Sequence, residues 1–317
     1  MRRKAAILIL LAALAAAPLA ALEVTTLFNI GNMGFSETPM DPVVSTDYAS
    51  DAYSWGLGFI ASQNLGTGLG IDFSYTGDPI LSHLVKGTFT YNGEFFSIGA
   101  GPAFGIFNTR ETPLQPGIST NFRIEWPGII FLKFDLFSSI GYQLRNTGDY
   151  SQGNSSLSFG FYVPNAICTL NMETKNLTEI TASHGERNDS LTEYSFKTQI
   201  YQKNVPFRVL VGLLYRTTET AFSHQVIEGP DIANLETVTY TLSETLNSLL
   251  LQTRLDMAFS PAVSLFLDVY SSIFSFGSIK DTEASTIDTL VIPDSFPGGY
   301  LFEATLGVKI NFDNFKD

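Results

Sequence analysis

Between positions 65 and 78 the chain reads LGTGLGIDFSYTGD, where Leu69, Ile71, Phe73 and Tyr75 alternate with Gly70, Asp72, Ser74 and Thr76. Successive side chains of an extended strand point to opposite faces, so a period of two marks a strand with one apolar and one polar side. The same period returns from end to end, and no long segment carries the helical period. It predicts fourteen strands, at 22–33, 52–63, 68–76, 84–91, 95–107, 117–126, 129–143, 155–163, 166–174, 192–202, 207–217, 248–259, 263–275 and 300–312, with twelve as the alternative count. No linker or shift in composition divides them.

Tight turns follow the even-numbered strands, at Asn64 to Gly66, Asn92-Gly93, Pro127-Gly128, Pro164-Asn165, Lys203-Asn204 and Ser260-Pro261. Asn and Gly accept positive φ, and Pro holds φ near its turn value. Longer polar connections follow most odd-numbered strands, as at 34–51, 175–191, 218–247 and 276–299. Tight turns on one rim, long loops on the other and both termini on the tight rim predict a single closed antiparallel transmembrane β-barrel.

The chemistry of the two faces points the same way. The eleventh strand sets Phe207, Val209, Val211, Leu213 and Tyr215 against Arg208, Leu210, Gly212, Leu214 and Arg216. The fourteenth sets Tyr300, Phe302, Leu306, Val308, Ile310 and Phe312 against Glu303, Thr305, Gly307, Lys309 and Asn311. A soluble sandwich also alternates, but its strands are usually near six residues, and most of these match the length that a tilted strand needs to cross a bilayer. A closed barrel also satisfies every backbone group in lipid. Pro102, inside the fifth strand, lacks a ladder donor and calls for a bulge or an unpaired carbonyl, with Gly99, Gly101 and Gly105 fitting a local kink.

Aromatics on the apolar faces gather at two levels. Trp55, Tyr75, Tyr142, Tyr215 and Tyr300 lie near the long-loop rim, and Tyr91 and Trp126 near the tight-turn rim. Two such belts suit amphipathic rings at headgroup level.

The N-terminus MRRKAAILILLAALAAAPLAALEV has a basic start, a short apolar run and small residues up to Ala21. That is the pattern of a cleaved secretory signal peptide over residues 1–21, leaving residues 22–317 as the barrel. Its removal takes the formal charge from −13 to about −16, which excludes nucleic acid as a natural partner. Cys168 is the only cysteine and cannot form an internal disulfide.

The segment from Thr305 to Phe312, with Thr305, Gly307, Ile310 and Phe312 in the polar, glycine, hydrophobic and terminal-aromatic roles, resembles the C-terminal assembly signal of outer-membrane barrels. Here the chain runs on to Asp317. With the signal peptide and the strand pattern, the whole mature chain resembles a barrel of a diderm bacterium, similar in style to uncharacterised spirochaete barrels such as those of treponemes. The strand count is also similar to that of FadL-type fatty-acid transporters and small monomeric porins. FadL-type proteins carry an N-terminal hatch, whereas the first strand here begins near Leu22. The resemblance implies an outer-membrane protein with periplasmic termini, inserted by the barrel-assembly machinery among outer-membrane lipids, as a monomer.

If the apolar faces meet lipid, parity turns Asp72, Lys86, Arg123, Lys133, Asp135, Arg208, Arg216, Arg254, Asp256, Asp268, Glu303 and Lys309 inward as candidate pore lining, with Glu125, Glu193 and Lys197 beside them. The two signs nearly balance. Fourteen strands leave room for a channel unless a loop fills it. The acid excess sits in the loops, as at Glu219, Glu228, Asp231, Glu236, Glu244, Asp281, Glu283, Asp288 and Asp294, with no spacing that suits a metal. His83, His184 and His224 each follow a serine, but neighbours on a strand face opposite ways and form no dyad. No cofactor motif is present. The expectation is a non-enzymatic channel for small hydrophilic solutes, without metal or cofactor. A transporter of hydrophobic ligands, with a lateral gap at Pro102, and a non-conducting surface adhesin or structural barrel are the alternatives.

Overall fold

In a computed structural model of the chain, the alternating segments become strands of one sheet that closes on itself. The structure describes residues 22–33, 54–78, 82–106, 115–139, 142–144, 148–181, 185–202, 205–228, 236–281, 296–297 and 299–312; the expected signal peptide lies outside them. The strands are β1 (Leu22–Gly31), β2 (Ser54–Gly66), β3 (Leu69–Asp78), β4 (Ser82–Asn92), β5 (Phe96–Ile106), β6 (Gln115–Trp126), β7 (Ile130–Ser139), β8 (Gly148–Val163), β9 (Ala166–Thr181), β10 (Gly185–Tyr201), β11 (Phe207–Glu228), β12 (Glu236–Ala258), β13 (Val263–Asp281) and β14 (Phe302–Asn311). Each pairs antiparallel with the next, and β14 pairs with β1. Two short pieces, Tyr142–Leu144 and Phe296–Pro297, pair with β8 and β13 and extend the courses of β7 and β14. The expected closed fourteen-stranded antiparallel barrel is therefore the fold.

Two of the expected tight turns adopt positive φ at the predicted residues, whereas Asn92-Gly93 does not, and Lys203-Asn204 lies outside the described residues. Asn165 adopts φ 62° and Gly128 φ 74°. Between β2 and β3 the turn comes later than the sequence suggests, at Thr67 and Gly68, because the strand continues through Gly66.

The barrel is taller on one side. Strands β1 to β7 have 10 to 13 residues, whereas β11 has 22 and β12 has 23. Much of 175–191 and 218–247 is strand rather than loop: β9 reaches Thr181 before β10 starts at Gly185, and β11 reaches Glu228 before β12 starts at Glu236. On these upper segments the outward faces are polar. There Thr178 Oγ1 donates to Asn188 Oδ1 at 2.7 Å, and Asn188 Nδ2 donates to Glu186 Oε1 at 2.6 Å. Such polar ladders carry no apolar alternation, so the pattern stops while the strands go on.

Two irregularities modify the wall. On β13, Leu249 faces Phe274 while Leu250 faces Ser272, so Ile273 is an extra residue that shifts the parity above it. Ile273, Phe274 and Phe276 are consequently all exposed, and the last two rings stack 6.4 Å apart. At Pro102 no bulge forms. The β4–β5 register is the same on both sides, from Lys86↔Ala103 to Phe89↔Ala100, and only the two intervening pairings lapse. Pro102 remains paired with Ile118 on β6. The strands do not part there: a Cβ on Gly101 would collide with the Gly87 carbonyl oxygen. The predicted site of a lateral gap is thus a close approach.

Candidate functional site: the lumen wall

Parity assigns the charged side chains of the strands to the inside. One cavity of about 530 Å³ brings together Asp72, Arg123, Lys133 and Asp135 from β3, β6 and β7, with Glu23 and Asn311 at its far flank. Apolar alternation turns the first four inward but gives no sign of Glu23, which pairs with Lys309 at 2.7 Å.

Charge on this wall is largely neutralised within strands. Arg123 meets Glu125 at 2.6 Å, Lys133 meets Asp135 at 2.7 Å, and Lys175 meets Glu173 at 3.5 Å. Arg187–Asp189 on β10 and Arg254–Asp256 on β12 repeat the arrangement at 2.7 and 2.8 Å. In all five pairs the partners are two residues apart, the spacing that puts neighbours of a strand on one face. Glu173, Lys175, Arg187 and Asp189 lie where the apolar alternation is weak, and that spacing is the signal that would have found them. Lys86 lies among Asp135, Lys133, Lys175 and Glu173 without an ion-pair partner within 4 Å among the described residues. Arg208, exposed at the tight-turn end of β11, and Asp72 also have none.

On the opposite wall the charges around Arg216 are enclosed. Arg216 Nη2 lies 2.8 Å from Glu193 Oε2 across β10 and β11, with side chains only 12% and 6% exposed. The Arg123 and Lys133 side chains are 42% and 48% exposed. Glu303 lies within electrostatic reach of Arg216. Gln252 donates to both Asp268 oxygens at 2.9 Å and to the Tyr270 hydroxyl at 2.8 Å. Beside these networks, Met33 and Leu301, from the ends of β1 and β14, pack on Leu214 and Leu250. Among the candidate lining residues, Arg123, Lys133 and Asp135 on β6 and β7 are accessible, as are Lys309 on β14 and Arg208 on β11, whereas Arg216 and Asp268 are enclosed.

Two similar braces stand on these walls. The Phe131 ring lies where a Cβ on Gly160 would be, and the Phe266 ring does the same over Gly307. The Arg123 guanidinium sits 5.4 Å from the Phe131 centroid, and that of Arg254 3.9 Å from Phe266. Gly307, expected as part of an assembly signal, thus has a packing role as well. A repeated sequence accompanies them: Asp135-Leu-Phe-Ser-Ser139 on β7 matches Asp268-Val-Tyr-Ser-Ser272 on β13. Ser139 Oγ accepts the Gln152 N–H at 2.8 Å, and Ser272 Oγ accepts the Leu301 N–H at 2.9 Å.

Outward, Trp55, Trp126 and Tyr300 are 65%, 64% and 60% exposed. Tyr91 and Tyr215 are exposed too, joined by Tyr194, which the apolar alternation had not singled out. Tyr75 is held by His83, whose Nδ1 lies 2.9 Å from its hydroxyl, so this histidine serves an outward aromatic pair. The Tyr142 and His224 side chains, His184, and the acids Asp231, Glu283, Asp288 and Asp294 lie outside the described residues. Glu219 and Glu244 lie on the upper parts of β11 and β12.

No protein-family model and no curated protein matches the chain. Its fold is similar to solved bacterial barrels at low identity. A bacterial polysaccharide outer-membrane secretin aligns with TM-score 0.49 and 10% identity, over 93% of this chain and 99% of that one. An anion-selective porin from Comamonas acidovorans aligns with TM-score 0.38 and 11% identity, over 91% and 98%. OmpT of Vibrio cholerae, lacking its loop L8, aligns with TM-score 0.38 and 8% identity, over 91% and 97%.

Proposed function

We propose that the chain is a bacterial outer-membrane channel through which small hydrophilic solutes diffuse along the β1–β7 side of the lumen. The observation that carries this reading is the difference between the two walls: water-accessible charge around a 530 Å³ cavity on one side, enclosed networks on the other. An apolar outward band with rings at both rims supports a barrel set in lipid. In this reading the signal peptide directs export, both termini face the periplasm, the assembly machinery inserts a monomer, and the source is a diderm bacterium such as a spirochaete. The channel needs no cofactor and performs no chemistry.

Because most lumen charges are paired two residues apart, the wall presents little net field. Planar-bilayer recording is expected to show discrete ohmic openings with weak preference between potassium and chloride. Silence would leave the rival, a surface-binding barrel. That rival draws on one observation, the tall polar wall of β8 to β13 standing above lipid level. Arg208, exposed at the tight-turn rim on β11 and without an ion pair among the described residues, is the cation whose reversal at the pore mouth should register most directly. Arg208→Glu is expected to move the reversal potential toward cations by several millivolts, on the order of the effect of one charge at a pore mouth. An unchanged potential would remove Arg208 from the pathway.

A further inference from the structure

The floor of the cavity is not charged. Thr90 and Asn92 on β4, Ser97 on β5 and Asn121 on β6 form a contiguous inward patch, joined through the pairings Asn92↔Ser97, Thr90↔Gly99 and Gly99↔Asn121. Gly99 shapes it. A Cβ there would stand 2.7 Å from Asn121 Oδ1 and 2.8 Å from Thr90 Cγ2, so its absence lets both side chains lean over the strand. None of the four side chains hydrogen-bonds to another described residue. They present amide and hydroxyl donors and acceptors to whatever fills the cavity.

Three solute classes could use such a surface. A small ion must replace its hydration shell, and a wall of neutral dipoles beside already paired charges does that poorly. A zwitterion needs an unpaired acid and an unpaired base. The cavity offers Asp72, but Arg123 and Lys133 each hold a carboxylate within 2.7 Å. A neutral polyol loses little on leaving water and exchanges its hydroxyl hydrogen bonds one for one with amides and hydroxyls. The cavity volume of about 530 Å³ is in the ordinary range for small-molecule sites.

We propose that this patch is a binding station for neutral sugars on their way through the barrel. The inference rests on the channel reading above. It assigns Asn92 and Asn121 as the principal sugar-contacting residues, with Thr90 and Ser97 completing the set.

The test uses the full mature protein in planar bilayers with potassium chloride, adding maltose and then the dipeptide Gly-Gly. Maltose is expected to interrupt the current transiently at millimolar concentration, and Gly-Gly to leave it unbroken. Asn92→Leu combined with Asn121→Leu should weaken the maltose block about ten-fold, the worth of one or two net hydrogen bonds, with salt conductance within about two-fold of the parent. If that variant does not fold, Thr90→Val combined with Ser97→Ala carries the same expectation at smaller size. Salt conductance without maltose block overturns the sugar station and leaves the channel standing. Equal block by Gly-Gly overturns it as well. No salt conductance at all overturns the channel first, and the station with it.

Discussion

Adding one methyl group at Gly101 is expected to disrupt the barrel, whereas the same change at Gly87, on the adjacent strand, should pass unnoticed. Each glycine belongs to one of the two lapsed β4–β5 pairs, Gly87 opposite Pro102 and Gly101 opposite Thr88. At Gly101 a Cβ would collide with the Gly87 carbonyl and stand 3.0 Å from Thr88 Cα, both backbone atoms that no rotamer change can move. At Gly87 there is nothing within 4 Å of the same methyl. Overpacking of this kind costs ~1–3 kcal/mol, and a closed ladder must shift two strands to relieve it. Unboiled electrophoresis, in which folded barrels run apart from the heated chain, reads the result. Gly101→Ala should lose much of the folded band and Gly101→Val nearly all of it, with Gly87→Ala at parental level. A normal folded fraction for Gly101→Val would mean that β4 and β5 do not approach as described.

Removing Glu193 is the second large effect. Its carboxylate receives Arg216 Nε at 3.1 Å and Nη2 at 2.8 Å, in a site where both side chains are nearly enclosed. A buried charge left without its partner costs ~3–5 kcal/mol, while replacing both partners by apolar groups of similar volume is often neutral. Glu303, within electrostatic reach of Arg216, offers partial compensation, so the lower end of that range is expected. Glu193→Ala should lower the urea midpoint of the refolded barrel, followed by the fluorescence of Trp55 and Trp126. Glu193→Leu together with Arg216→Met should recover much of the loss. Single-channel conductance should barely change, because this pair stands on the enclosed wall. A large conductance change with unaltered stability would instead put Arg216 in the solute path.

These two expectations separate roles that look alike along the chain. Arg208 and Arg216 occupy the same face of one strand, eight residues apart, and parity gives both the same status. Register distinguishes them. Arg216 stands opposite Glu193 on β10, whereas Arg208 stands opposite Tyr201 there, and Asp256, its partner in register on β12, is already bonded to Arg254. One arginine is therefore held in the wall and the other meets water.

What the residues determined alone is everything that depends on a period of two. Alternation in β3, β11 and β14 set the strands, the inward faces and the exposed rings, because strand geometry sends neighbouring side chains opposite ways whatever they pair with. The turn residues placed the tight rim, since Asn165 and Gly128 adopt the positive φ that their chemistry permits. Tertiary structure decided the remainder. The tops of β9 to β12 escape the pattern because their outward faces carry polar ladders, such as Thr178 with Asn188 and Glu186, in place of apolar residues. The difference between Gly87 and Gly101, the bulge at Ile273 and the bond from Arg216 to Glu193 depend on which strand lies alongside and in what register. Period-two chemistry is blind to register shifts of two residues, and only closure of the barrel selects among them.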